Sequence, residues 1–378
     1  MRPEATEQGE PTICRAAAPS GSKTVRRAHD VSIESQYESF ARIVPSLVLR
    51  NKVRIFPNTH DLVEVLDIEL SRPKFVRGDR YHCRLTVHYR IDGVAKTMRM
   101  WLKFRPQLHA LLPVLDAYHA RLNGQVFPKA YFAWCALDTN TAVLATAYVQ
   151  GATLRNKLLM LALLRQTSRL CSIFRSTGAK MRRFHDAFPS SESIEIAPLV
   201  NSTAALLRET TYFSEPEKIS IRSHLERYAG ALPIRALPAI QVHNDWIQRN
   251  IIVAADGVDY IVDFDSMRAR ADLRWLDVAY FLLNIASQLK WAPLVTAGSL
   301  AELAHEFWRG YVGETDPPHS LSPEQMAAIL YVVRLRYLLG GTTRPAYFRI
   351  MDGPLDYRAL RSLKESVVMG QAAQFDLW

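Results

Sequence analysis

An Asp-Gly pair, Asp92-Gly93, stands between two strand-like runs, YHCRLTVHYR and AKTMRMWLKF. Asp-Gly suits the left-handed backbone of a tight hairpin turn, so it sets both the partner and the register of the flanking strands. Counting outward from the turn places His82 opposite Lys103. One face of the ribbon then carries Cys83, Leu85, Val87, Met98, Met100 and Leu102, and the other Arg84, Thr86, Arg99, Trp101 and Lys103. The polar face is either a cleft wall or open to solvent. LVEVLDIEL ahead of the hairpin and two short runs within residues 126–149 supply further strands, with a helical pattern over residues 108–122 between them. The expectation is a small sheet with one packed helix.

After Tyr148-Val149-Gln150-Gly151 the character changes to mostly helix. Leu170, Ile173, Phe174, Thr177, Met181 and Phe184 form a stripe at helical spacing, which leaves Arg165, Arg169 and Arg175 on the solvated side. His185 at the edge of that stripe reads as a satisfied core histidine. Ser322-Pro323-Glu324-Gln325 has the order of a capping box, and the apolar run behind it is expected to stop at Gly340-Gly341. LLMLALL, residues 158–164, is the longest membrane-like run and is far short of the ~20 residues a span needs, so it reads as a buried helix start. Residues 1–30 lack an apolar period and read as a mobile tail. The fold class is α+β in two lobes: an antiparallel-sheet N-lobe over 31–149 and a mostly helical C-lobe over 150–378.

Composition narrows the function classes. A hydrophobic share of 48% supports a sizeable core, and 47 Lys+Arg against 37 Asp+Glu leaves a net charge of +10, which favours anionic partners. No nucleic-acid module is recognisable. The cysteines at 14, 83, 135 and 171 make neither a disulfide framework nor a zinc spacing, and the start lacks the apolar run of a signal peptide. A reducing, cytoplasmic location is the expectation, with peripheral membrane contact left open.

The most informative stretch is 242–286, VHNDWIQRNIIVAADGVDYIVDFDSMRARADLRWLDVAYFLLNIA. Asp256-Gly257 marks a second hairpin. A two-residue turn there pairs residue 250 with 263, placing Asn250 opposite Asp263, with Asp245 in the loop feeding the first strand; a slip of one residue would separate them by a face. A carboxylate and an amide oxygen make a hard site suited to Mg²⁺, and a separate carboxylate can orient and deprotonate a hydroxyl. This layout suits phosphoryl transfer, where positioning and charge neutralisation dominate.

His243-x-Asp245-x-x-x-x-Asn250 followed by Asp263-Phe264-Asp265 resembles the catalytic loop and metal motif of kinases. In detail it resembles the aminoglycoside phosphotransferase and choline kinase-like superfamily, small-molecule kinases with the protein-kinase-like fold. DLRWLDVA at 272–279, Tyr148-Val149-Gln150-Gly151 and MRRFHDAF at 181–188 resemble that superfamily's following segment, inter-lobe segment and Leu-His helix, in the same order. The resemblance implies an ATP- or GTP-dependent, Mg²⁺-dependent phosphotransferase acting on a hydroxyl of a small molecule or glycan. It implies that Asp245 is the catalytic base, that Asn250 and Asp263 hold magnesium, and that Lys103 reaches the nucleotide's α- and β-phosphates. Asp265 either joins the metal or stays solvated, while His243 and Asp277 read as supports of the loop.

The sequence also departs from that pattern. SRPKFVRGDR replaces a glycine-rich phosphate loop with cations at Arg72, Lys74, Arg77 and Arg80, which either hold phosphates or form a solvated tip. Asp116 is the one acid in the helix where a partner for Lys103 is expected, and Trp246-Ile247-Gln248-Arg249 fills the catalytic loop. A catalytically weak relative kept as a binding module is the alternative reading. Glu302, Glu306, Glu314 and Asp316 are candidates for a cationic acceptor's site, or are surface acids.

Overall fold

The computed structural model describes residues 33–77, 80–106, 108–122, 124, 126–135, 141–230, 232, 235–243, 245–254, 258–263, 271–289, 297–313, 322–342, 364–365 and 367–370. The expected tail over 1–30, the Asp256-Gly257 turn, Asp265, Glu314 and Asp316 lie outside them.

The N-terminal part is one antiparallel sheet. Its strands are β1 (Val63–Leu70), β2 (Lys74–Arg77), β3 (Arg80–Ile91), β4 (Val94–Pro106), β5 (Ala130–Cys135) and β6 (Thr141–Ala147), in the order β1-β3-β4-β6-β5 with β2 also on β3. The β3–β4 hairpin has the expected register, with His82 opposite Lys103 and Ile91 opposite Val94. Asp92 and Gly93 both have positive φ, 50° and 78°, as a tight primed turn requires. Cys83, Leu85, Val87, Met100, Leu102 and Phe104 are buried. They are covered by helix α1 (Ile33–Arg50), whose Phe40, Val44 and Val48 recur at one helical face and are equally buried. Phe40 meets Phe104 edge to face at 5.1 Å. A short helix α2 (Lys52–Ile55) follows α1, and helix α3 (Leu111–Arg121) lies between β4 and β5.

The remainder is mostly helical. Strand β7 (Gly151–Thr153) leads into α4 (Leu154–Leu163) and α5 (Thr167–Ala187). Then come β8 (Pro189–Glu195), α6 (Ile196–Glu209), α7 (Glu215–Gly230), β9 (Ala236–Gln241), β10 (Ile251–Ala254), β11 (Asp259–Ile261) and β12 (Ala271–Asp272). Helices α8 (Trp275–Leu289), α9 (Ala297–Val312) and α10 (Pro323–Thr342) complete the described fold. All six residues of the α5 stripe are buried. Helices α5 and α9 cross in backbone contact: a Cβ on Gly178 would lie 2.1 Å from the Phe307 carbonyl oxygen, and one on Gly310 2.0 Å from that of Arg175. The capping box of α10 forms, with Gln325 N donating to Ser322 Oγ (3.3 Å) and Ser322 N donating to Gln325 Oε1 (2.9 Å). The helix continues through Gly340-Gly341 to Thr342 rather than stopping there.

Two short ribbons place the site. β10 pairs with β11 on one side and with β7 on the other, Ile252 facing Thr153. The register of β10–β11 differs from expectation by one residue: Ile251 faces Ile261 and Ile252 faces Tyr260. Ala254 N donates to Val258 O at 2.8 Å, in the same register. Only Tyr148, Val149 and Gln150 separate β6 from β7, and Tyr148 N is itself tied to Arg99 O at 3.2 Å.

Candidate active site

A cavity of about 470 Å³ lies between the sheet and the β10–β11 ribbon. Strand alternation puts His82, Trp101, Lys103 and Arg105 on its sheet-side wall, so the part of the hairpin's polar face that carries Trp101 and Lys103 is a cleft wall. Tyr148, Val149 and Gly151 of the inter-lobe segment also line it, as do Arg249, Asn250, Val262 and Asp263.

Asp263 follows β11 and has φ of +70°, a left-handed conformation uncommon outside glycine. Val262 N donates to Asn250 O at 2.7 Å, which makes Val262 rather than Asp263 the residue opposite Asn250. Asn250 and Asp263 nevertheless border the same cavity, because Asp263 lies beyond the strand, where its side chain no longer obeys the ribbon's alternation. Lys103 Nζ donates to Asp263 Oδ1 at 2.7 Å. Asp116 is not its partner: both oxygens of Asp116 are held by Arg54 Nη2, at 2.6 and 2.7 Å.

The loop that carries Asp245 is folded by short backbone bonds. Ile247 N donates to Asp245 O and Asn250 N to Ile247 O, each at 2.9 Å. These turns fold Trp246–Arg249 compactly and return Asn250 to Asp245, where its Nδ2 donates to Asp245 Oδ2 at 2.8 Å and to the Asp245 carbonyl at 3.0 Å. Trp246, fully buried against Phe184 and His243, anchors the loop in the core. Asp277, at the start of α8, steadies the loop's entry: its Oδ2 accepts from His243 N at 2.8 Å and lies 3.2 Å from His185 Nε2. His185 Nδ1 meets the Tyr311 hydroxyl at 2.9 Å, so this histidine has a partner on each nitrogen.

Burial raises the pKa of Asp245 to about 6, and the negative charge of Asp263 pushes it the same way. The Asn250 hydrogen bond and the Arg249 charge oppose that rise, while Asp277 adds to it. A carboxyl poised there can accept a proton near neutral pH. The donor set beside it, the Asp263 carboxylate with the Asn250 amide oxygen, fits a small hard cation, since Asn250 Nδ2 is already committed to Asp245.

Other expectations resolve differently. Among the described residues the cations lining the cavity are Lys103, Arg105 and Arg249, and neither Arg72 nor Lys74 is among them. The side chains of Arg77 and Arg80 lie outside the description. Glu306 pairs with Arg175 at 2.5 Å and Arg309 at 3.1 Å, and Glu302 neighbours Cys171. Glu306 therefore belongs to the α5–α9 packing, and Glu302 is an exposed acid beside it. Sequence reasoning missed the aromatic end of the cleft, where the His82 and Trp101 rings lie 4.4 Å apart and Trp101 is 6.1 Å from Tyr148. Its available signal was Trp101 two residues before Lys103, on the same strand face.

A family model described as the phosphotransferase enzyme family, APH, matches residues 63–319. The chain belongs to this family. A search of curated proteins returns no match. Among solved structures, an apo thermostable mutant of aminoglycoside phosphotransferase APH(4)-Ia is 14% identical, with a TM-score of 0.47 over 85% of this chain and 98% of that one. A mutant of the same enzyme in ternary complex with ADP and hygromycin B is 12% identical, with a TM-score of 0.49 over 82% and 96% of the two chains. A choline/ethanolamine kinase family protein from Mesorhizobium loti is 16% identical, with a TM-score of 0.43 over 75% and 88%. The APH match spans the sheet, the segment 148–151 and the loop that carries Asp245 in one continuous stretch. Among the described residues no helix is long and apolar enough to cross a membrane.

Proposed function

We propose that this APH-family protein transfers the γ-phosphoryl group of ATP or GTP to a hydroxyl of a small molecule or glycan. The observation that carries the reading is the joint placement of Lys103, Asn250 and Asp263 on one cavity, with Asp245 hydrogen-bonded to Asn250. On this reading the chain divides at residue 150 into a nucleotide-covering lobe and a lobe bearing the catalytic loop.

The base of the nucleotide lies against Trp101, His82 and Tyr148, and its α- and β-phosphates reach Lys103, with Arg105 and Arg249 adding positive charge. Asp263 and Asn250 are the residues that would hold magnesium, whose chemistry is to offset charge on the phosphate oxygens. Asp245 accepts a hydrogen bond from the acceptor hydroxyl, aligns its oxygen with the γ-phosphorus, and takes its proton as the new P–O bond forms and the bond from the γ-phosphorus to the β–γ bridging oxygen breaks, the nucleoside diphosphate leaving with that oxygen. Asn250 holds the Asp245 carboxylate for that role through its amide nitrogen. Trp246 and Asp277 keep the loop from rearranging.

Calorimetric titration with ATP and GTP, with and without Mg²⁺, on wild type and Asp263→Asn tests this reading. Magnesium-dependent binding that disappears in the variant is the expected result. No binding of either nucleotide would replace it with that of a partner-binding relative.

A further inference from the structure

Residues 139–185 contain eight Lys or Arg and no Asp or Glu. Within this stretch the end of α4 breaks the usual burial pattern. Leu154, Leu158 and Leu161 are buried, but Leu159, Met160, Leu163 and Leu164 are 42%, 42%, 61% and 58% exposed. LLMLALL is thus half core and half surface, contrary to the expectation of a buried helix start. The seven residues from 163 to 169 are all exposed, so the α4–α5 corner projects with two leucines and two arginines, Arg165 and Arg169.

The corner is also built in an unusual conformation. Leu164 N donates to Met160 O, Arg165 N to Ala162 O and Gln166 N to Leu161 O. This closes α4 with Arg165 at φ +54°, the left-handed position that helix ends reserve mostly for glycine. An arginine there holds a charge at the tip at a conformational cost. The acids of the packed helix α9, Glu302 and Glu306, sit beside Cys171 and Arg175, further along α5.

We propose that the α4–α5 corner docks on an anionic lipid bilayer, with Leu159, Met160, Leu163 and Leu164 entering the interface and Arg165 and Arg169 meeting lipid phosphates. Of the eight cations, Arg175, Lys180 and Arg182 are paired with Glu306, Asp259 and Asp186, which leaves Arg165 and Arg169 as the charges of the exposed corner. Exposed apolar side chains beside two such cations suit a surface that offers anionic headgroups above an apolar layer. Four side chains fall well short of the roughly 20–30 residues a side that a stable protein interface uses. The inference does not depend on the phosphotransferase reading.

The test is co-sedimentation of the full chain with phosphatidylcholine vesicles, with and without 30% phosphatidylglycerol. Binding only to the anionic vesicles is expected. It should weaken about tenfold or more in the double variant Leu163→Ser/Leu164→Ser and about fivefold in each of Arg165→Gly and Arg169→Gln. Arg165→Gly removes the charge while relieving the left-handed backbone, so its loss of binding cannot come from unfolding; its melting temperature, expected unchanged or higher, checks this. No binding to anionic vesicles overturns the proposal. So does binding that is unchanged in the leucine pair and lost on deleting residues 1–32, which would make the N-terminal segment, with Lys23, Arg26 and Arg27, the contact. Light scattering that shows a dimer in wild type and a monomer in the leucine pair would assign the face to a second copy and overturn it likewise.

Discussion

Lys103 and Asp263 are 160 residues apart in sequence and 2.7 Å apart in space. The lysine comes from the middle of the sheet and the aspartate from just beyond β11, so one ion pair joins the two walls of the cleft. Asp263 is 41% exposed, and such a pair contributes at most about 1 kcal/mol to folding. Lys103→Ala should therefore leave the melting temperature nearly unchanged while lowering kcat/KM for the nucleotide by about 10–100-fold, the worth of a charge-assisted phosphate contact. Steady-state kinetics beside a thermal melt checks the split. A large fall in stability with unchanged kcat/KM would make the pair structural.

Asp245→Asn should trade activity for stability. Burial and Asp263 raise the pKa of this carboxyl above its unfolded value, so the folded state prefers it protonated. Its contribution to stability is present at low pH and is lost as pH rises through about 6. A neutral amide removes that loss, and the variant should be about 1–2 kcal/mol more stable at pH 7.5 in a urea titration. Turnover should fall by about 10²–10⁴-fold with nucleotide affinity retained. Equal turnover would rule out the base.

Acid should loosen the core around His185. Burial lowers its pKa, as does Arg274, against the opposing hydrogen bond and charge of Asp277 and the charge of Asp186. The folded state holds the neutral ring, so its contribution is present above the ordinary histidine value of about 6.5 and is lost as pH falls below it. Burial shifts His82, His119 and His224 the same way. Urea midpoints should decline from pH 7.5 to pH 5, with part of the slope removed in His185→Gln. An unchanged slope in that variant would mean the other histidines carry it.

The α5–α9 crossing should tolerate no added carbon. Gly178→Ala or Gly310→Ala forces a Cβ to within about 2 Å of a backbone oxygen on the facing helix. Each should cost about 2–4 kcal/mol, outweighing the ~1 kcal/mol that alanine gains within a helix. Gly230, the last residue of α7, has nothing within 4 Å of its Cβ position, and Gly230→Ala should be neutral or mildly stabilising. Differential scanning calorimetry of the three variants distinguishes crowding from propensity.

Much of the fold was legible wherever local rules set it. The Asp92-Gly93 turn determined every pair of the β3–β4 ribbon, including Lys103, because a two-residue turn leaves no freedom of register. The α5 stripe and the Ser322 box followed from helical spacing and capping in the same way. The β10–β11 ribbon shows where such a rule fails. A dipeptide names a turn but not its length, and so does not by itself settle the register, which pairs Ile251 with Ile261. Asn250 and Asp263 still share a cavity because the positive φ of Asp263 lies outside any strand rule. Partner choice across long separations was not legible. Nothing in the sequence directs Arg54 rather than Lys103 to Asp116, or places Trp246 under the Asp245 loop, since packing decides both. Helix α1 escaped notice although Phe40, Val44 and Val48 mark its face, because the sheet it covers had first to be located.

The pairing of β7 with β10 has a mechanical consequence. Tyr148 is bonded back to the sheet and Gly151 lies close against the Val253 carbonyl, so Val149 and Gln150 are the two residues between fixed points. The covalent link between the sheet and the helical part is thus two residues long, and the Lys103–Asp263 pair spans the same cavity that this link borders.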